Sequence, residues 1–210
     1  MSGFGIILVL ILFSALPVIA VRIWFSAAGV PLRPLGFLGS LLAGILTLLP
    51  AALLQSLFPA SWGGLMLRIF VRIALTEEAA RLAVLALFFA ILRRGSPLSE
   101  AEAAASGLVA GLGFAILETA SYASAGLGIA LLRAVTAAPL HGACGGRVAC
   151  ALYRFPGRPA LAVSGFIIAV LLHGLFNFMV LKPGIPAPLP VILAAAALLP
   201  VLRTIQRRPE

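Results

Sequence analysis

Glu77, Glu78 and Arg81 interrupt an otherwise apolar run, and with Glu118, His141, His173 and Asn177 they hold most of the reactive chemistry of the chain. On a helix Arg81 is four residues from Glu77 and three from Glu78, so its guanidinium can pair with either carboxylate, while the two glutamates point ~100° apart. One carboxylate is then free to face a cavity as a general base. A Glu–Arg bridge between helices would account for one glutamate, but not for a second beside it. Phe114 and Tyr122 flank Glu118 at four-residue spacing and form a stripe on one helix face. His173 and Asn177 share the same spacing: the imidazole can act as base, acid or metal ligand, and the amide can donate to a developing oxyanion. Taken singly, each of these, His141 included, reads as polar glue between membrane helices. Together they supply a base, an acid and an oxyanion donor for hydrolysis by activated water, or ligands for a zinc ion. A proton or metal-ion transporter needs the same inventory.

These residues must be positioned by membrane helices. The chain has 210 residues, 62% hydrophobic and 10% charged, against ~25% charged in a soluble domain. It therefore reads as an all-α, polytopic membrane helix bundle. Apolar runs bounded by Arg, Pro and Gly place about seven spans, near Gly3–Val21, Leu35–Leu57, Leu65–Leu92, Ala103–Ala125, Gly128–Tyr153, Ala160–Leu181 and Ala187–Leu202. The first has no basic residue before it and no clear cleavage site, and is read as a retained span. Basic residues then alternate between connections: Arg22 and Arg33, Arg93 and Arg94, Arg154 and Arg158, and Arg203, Arg207 and Arg208 fall on one side, with Lys182 alone on the other. The positive-inside rule puts the first side in the cytoplasm, with the N-terminus outside and the C-terminus inside. This accounts for the net charge of +9 without nucleic acid.

Charge inside a bilayer costs roughly 2.5–3.5 kcal/mol per residue on insertion scales, so it persists where it faces protein or water and has a task. Three of the six acidic residues, Glu77, Glu78 and Glu118, lie inside predicted spans, as do both histidines. Counted at 1.5 Å per residue from the outer ends, Glu118 lies ~10 Å deep, His173 ~12 Å, Glu77 ~18 Å and His141 ~20 Å. That is a common band between the outer interface and the midplane. Gly107 and Gly111, and Gly142, Gly145 and Gly146, are small residues spaced for close helix approach. Pro139 should kink its span beside His141, and Pro17 and Pro50 should kink others. Arg68, Arg72 and Arg133 lie near the outer side, where they either snorkel to lipid phosphate or dock an acidic substrate segment. Cys144 and Cys150 point to different helix faces and read as packing.

The order Glu77-Glu78-Ala-Ala-Arg81, Gly113-Phe114-Ala-Ile-Leu-Glu118 with Tyr122, Arg133-Ala134 leading to Pro139-Leu-His141, then His173-Gly-Leu-Phe-Asn177-Phe178 resembles the PrsW family of intramembrane proteases. That family belongs to the superfamily that includes the CAAX prenyl proteases. The similarity runs from about Thr76 to Phe178. It implies one protease-like domain over residues 1–210, with a catalytic core at about 62–181 and peripheral spans at 3–21, 35–57 and 187–202. It also implies cleavage of a membrane-associated protein, an anti-sigma factor among the family's substrates, in the bacterial cytoplasmic membrane. Glu77 and Glu78 would activate water, Glu118, His141 and His173 would belong to the same centre, and Asn177 would donate to the oxyanion, with Arg81, Phe114, Tyr122 and Arg133 in support. Arg81 stands where the family usually has lysine, Thr119 where asparagine is common after the glutamate, and Asn177 where an aspartate follows the last histidine. Those departures leave room for an inactive, membrane-binding relative. Two chemistries stay open: a zinc ion held by His141, His173, Glu118 and Glu78, or a metal-free reaction with glutamate as base.

Overall fold

The computed structural model describes residues 3–30, 32–59, 61, 63–92, 98–121 and 127–207. Tyr122, Arg93, Arg94 and Arg208 lie outside them. Among the described residues every regular element is helical: α1 (Gly3–Ala28), α2 (Pro34–Leu46), α3 (Leu48–Ser56), α4 (Leu65–Leu67), a π-helical stretch Arg68–Leu75, α5 (Thr76–Leu92), α6 (Glu100–Ser121), α7 (Leu127–Arg154), α8 (Pro159–Leu181) and α9 (Pro188–Gln206). Five stretches within this set are long and apolar enough to cross a membrane: Ile11–Ala28, Pro34–Ser56, Glu100–Ser121, Pro159–Leu181 and Pro188–Gln206. The two remaining long rods, Leu65–Leu92 and Leu127–Arg154, carry the charge: Arg68, Arg72, Glu77, Glu78 and Arg81 on the first, Arg133, Arg147 and Arg154 on the second.

Local signals set the boundaries. Proline opens α2, α8 and α9, where its missing N–H has no intrahelical partner to lose. Ser99 and Glu102 start α6 with a capping box: the Glu102 carboxylate accepts from the Ser99 N–H at 2.9 Å, and the Ser99 hydroxyl accepts from the Glu102 N–H at 3.1 Å. Arg154, at the end of α7, donates to Glu100 at 2.7 Å and ties that end to the start of α6.

Two boundaries differ from the sequence reading. Arg22, expected in a connection, lies inside α1, donating to Ser26 Oγ at 2.8 Å and resting over the Phe37 ring. A long side chain can stay in a helix while its charge finds a local acceptor and an aromatic face. The second predicted span divides at Thr47 into α2 and α3. Pro50 has no N–H for the Leu46 carbonyl and crowds it, so α2 ends there. The third rod contains the eight-residue π-helix immediately before Thr76, which precedes Glu77. Its wider i→i+5 turns are rare and concentrate at functional sites. The Thr76 hydroxyl donates back to the Arg72 carbonyl at 2.6 Å, closing this stretch onto α5.

Central to the bundle, α6 is buried along most of its length, by alanine and glycine above all, with α1, α2, α7 and α9 packed around it. A Cβ on Gly107 would lie 2.2 Å from the Gly145 carbonyl oxygen, and one on Gly111 would lie 1.9 Å from that of His141. No side chain fits either place, so these glycines let the α6 and α7 backbones touch. Gly142 differs, since a Cβ there meets only ordinary contacts from 3.5 Å outward. Gly111→Ala should therefore wedge α6 from α7 beside His141. Overpacking of this kind costs about 1–3 kcal/mol. The expected result is a lowered unfolding temperature in detergent together with loss of whatever the Glu118–His141 pair supports; Gly142→Ala should change neither measurement.

Candidate active site

Four helices bring their polar residues to one place: α5 supplies Glu77, Glu78 and Arg81, α6 supplies Phe114 and Glu118, α7 supplies Arg133 and His141, and α8 supplies His173 and Asn177. At its base is an ion pair. Glu78 and Arg81, neither with any exposed surface, pair through Oε2 and Nη1. The guanidinium also lies 4.9 Å from the Phe114 ring centre, and its Nη2 is 3.5 Å from His141 Nδ1. Of the two carboxylates within reach of Arg81, the structure thus pairs the one three residues before it and leaves Glu77 to face elsewhere.

Each histidine is backed by a carboxylate. His173 Nδ1 bonds Glu78 Oε1 at 2.8 Å, and His141 Nε2 bonds Glu118 Oε2 at 2.7 Å, while Arg133 Nη2 donates to the other Glu118 oxygen at 2.6 Å. Such bonds fix ring orientation and tautomer. The two imidazoles stand edge to face with centres 4.9 Å apart. With its Nδ1–H given to Glu78, a neutral His173 presents a lone pair at Nε2, and 3.6 Å away is Glu77 Oε2. Both atoms are buried without a hydrogen-bond partner. Two acceptors facing each other require a proton donor or a cation between them.

That requirement fits a metal ion. Two ligands on a tetrahedral zinc with ~2.0–2.1 Å bonds stand ~3.4 Å apart, close to the separation seen here. Glu77, His141 and His173 each offer a ligand atom within 4.8 Å of the other two. Both histidines belong to the expected set of His141, His173, Glu118 and Glu78. Among the described residues the grouping takes Glu77, while Glu78 and Glu118 stand behind the histidines, the place of the carboxylates that orient metal-bound imidazoles. Spacing along a helix cannot show which of two adjacent glutamates Arg81 will occupy.

A cavity of about 880 Å³ reaches Glu77, Glu118 and Asn177, with Arg72, Arg133, Leu132, Phe176 and Leu181 along its walls. It opens at the end of the bundle opposite the Glu100–Arg154 pair, near the last turn of α6 and the first turns of α7. Asn177 lines it with an amide that makes no hydrogen bond among the described residues. Arg133, read alternatively as snorkelling, instead turns inward to Glu118 and is buried. Arg72 also turns in, donating from Nε to the Phe58 carbonyl at 2.8 Å, whereas Arg68 is exposed. Cys144 and Cys150 are buried free thiols.

One contributor is new. Gln55 of α3 donates from Nε2 to Glu77 Oε1 at 2.9 Å, so this carboxylate is held from outside the stretch 62–181. Its signal was an amide within the apolar run Leu48-Leu-Pro-Ala-Ala-Leu-Leu-Gln55. Neither the curated proteins nor the solved structures searched contain a match to the chain. A family described as PrsW family intramembrane metalloprotease does match, over residues 33–203, which takes in Gln55 and every residue of the cluster.

Proposed function

This chain belongs to the PrsW family of intramembrane metalloproteases, and we propose that it hydrolyses a peptide bond of a membrane-associated protein with water activated at Glu77. The observation that carries this reading is the facing pair of unpartnered acceptors, Glu77 Oε2 and His173 Nε2, beside a cavity large enough for a peptide segment. Water there would give its proton to Glu77 Oε2, with Gln55 holding the other oxygen, and would attack the scissile carbonyl. Asn177 lies on the cavity wall, from which its amide would donate to the oxyanion of the tetrahedral intermediate. The carboxylic acid formed on Glu77 would then return its proton to the leaving amine. Alternatively Glu77, His141 and His173 would hold a divalent ion, zinc by ligand type, which when bound supplies Lewis-acid activation of the water in place of proton uptake by Glu77 Oε2, that oxygen then serving as a ligand.

The wider reading has seven spans, with the two charge-bearing rods crossing inside the bundle, the N-terminus outside and the C-terminus in the cytoplasm, in a bacterial cytoplasmic membrane. Its support is the alternation of basic residues between connections. The cavity then opens toward the outer face, where a single-pass protein, an anti-sigma factor being the family's example, presents its juxtamembrane segment.

The test is to map new protein N-termini in membranes of cells expressing wild type or an inactive variant. Peptides absent from the variant identify substrate, and identical termini would overturn the reading. Asn177→Ala should lower kcat by about 10²–10³ with little change in KM, the signature of an oxyanion donor. Metal analysis of the purified protein should find one equivalent of a divalent ion, lost in His173→Ala and on dialysis against a chelator, with activity lost in parallel.

A further inference from the structure

Arg147, on α7, is a positive charge that the described glutamates leave unbalanced. Each of them is engaged elsewhere: Glu77 with Gln55, Glu78 with Arg81, Glu118 with Arg133, Glu100 with Arg154 and Glu102 with Ser99. The Arg147 side chain is half-buried, its Nη2 makes a single long contact of 3.4 Å to the Ala197 carbonyl, and its Nε is buried with no partner. Beside it is a cavity of about 90 Å³ between three helices, lined also by Cys150 and Arg154 of α7, Gly165 of α8 and Thr204 of α9. Gly165 keeps the α8 wall open, since the nearest atoms to a Cβ there would be 3.9 Å away.

The position of the cavity narrows its ligand. Arg147 lies ~10 Å along the helix from Arg154 at the α7 terminus, and Thr204 is in the last turn of α9. The cavity is therefore just inside the end where Arg154, Arg158, Arg203 and Arg207 gather, far from the Glu77 cavity. A guanidinium with unsatisfied N–H groups matches phosphate oxygens, and basic pockets between helices at this depth take anionic headgroups.

We propose that this cavity is a phosphate-anion site closed by Arg147, filled by the headgroup of an anionic phospholipid or by free phosphate. The purified full chain is examined by native mass spectrometry with phosphatidylglycerol and with phosphatidylcholine of the same acyl chains. In parallel, its thermal unfolding is followed in inorganic phosphate and in chloride at equal ionic strength. Several-fold preferential retention of phosphatidylglycerol, abolished by Arg147→Gln, is the result expected if the source is lipid. A rise in unfolding temperature with inorganic phosphate, abolished by the same variant and without lipid preference, assigns the site to the free ion. Arg158→Gln, at an exposed arginine of the same end, should change neither, and Arg147→Lys should keep an intermediate response. Wild-type behaviour in Arg147→Gln, or no preference for either anion in the wild type, would overturn the proposal.

Discussion

Glu77→Gln should lower the rate of substrate cleavage by about 10²–10⁴-fold, the range a positioned general base contributes, without weakening the fold. The substitution is nearly isosteric, and the carbonyl of the introduced amide can keep accepting from Gln55 Nε2, now 2.9 Å from Glu77 Oε1. What changes is the other atom. In place of Oε2, an acceptor facing the His173 Nε2 acceptor at 3.6 Å, the variant presents an NH2 that can donate to that lone pair. An unfavourable meeting of two acceptors becomes a hydrogen bond, so the unfolding temperature should hold or rise. Loss of activity with stability retained is the pattern of a site kept strained for chemistry. Metal content should fall in the same variant, because an amide is a poor replacement for a carboxylate ligand. Cleavage within tenfold of wild type would remove Glu77 as the base, and a lowered unfolding temperature would show that its carboxylate serves the fold instead.

The elements of this site were legible because the chain is poor in charge. An apolar protein with six acidic residues marks its chemistry by where it keeps them, and the i,i+3 and i,i+4 spacings correctly put Arg81 within reach of Glu78, and His173 and Asn177 on one helix. Pairings between helices were not legible. Nothing in the spacing says that Glu118 will back His141 while Glu78 backs His173, nor that Glu77 will face His173 Nε2. Gln55 was missed because one amide in an apolar helix resembles ordinary polar glue, and its partner is distant in sequence. The π-helix before Thr76 was hidden as well, since Arg68-Ile-Phe-Val-Arg-Ile-Ala-Leu75 carries no signal that separates it from an α-helix. Its wider turns advance less per residue, so a depth for Glu77 counted from Leu65 at α-helical rise is an overestimate. Residue types alone left protease and transporter level; family membership separates them.

Arg81→Met should be the most destabilising single change in the site, costing about 3–5 kcal/mol, because it strands Glu78 without its partner where neither side chain has exposed surface. The same substitution also removes the cation over the Phe114 ring and the contact to His141. The double variant Glu78→Leu/Arg81→Met removes both charges together, and replacing a buried ion pair by apolar groups of similar volume is often neutral or better. Thermal unfolding in detergent should therefore show the double variant recovering most of what the single one loses. Activity should not recover with it. Glu78 holds His173 Nδ1 at 2.8 Å, and without that tether the imidazole loses the orientation that aims Nε2 at Glu77. A stable but inactive double variant would assign the pair to positioning His173, whereas equal stability of single and double variants would show that the charges are not coupled. An active double variant would show that packing alone orients the histidine.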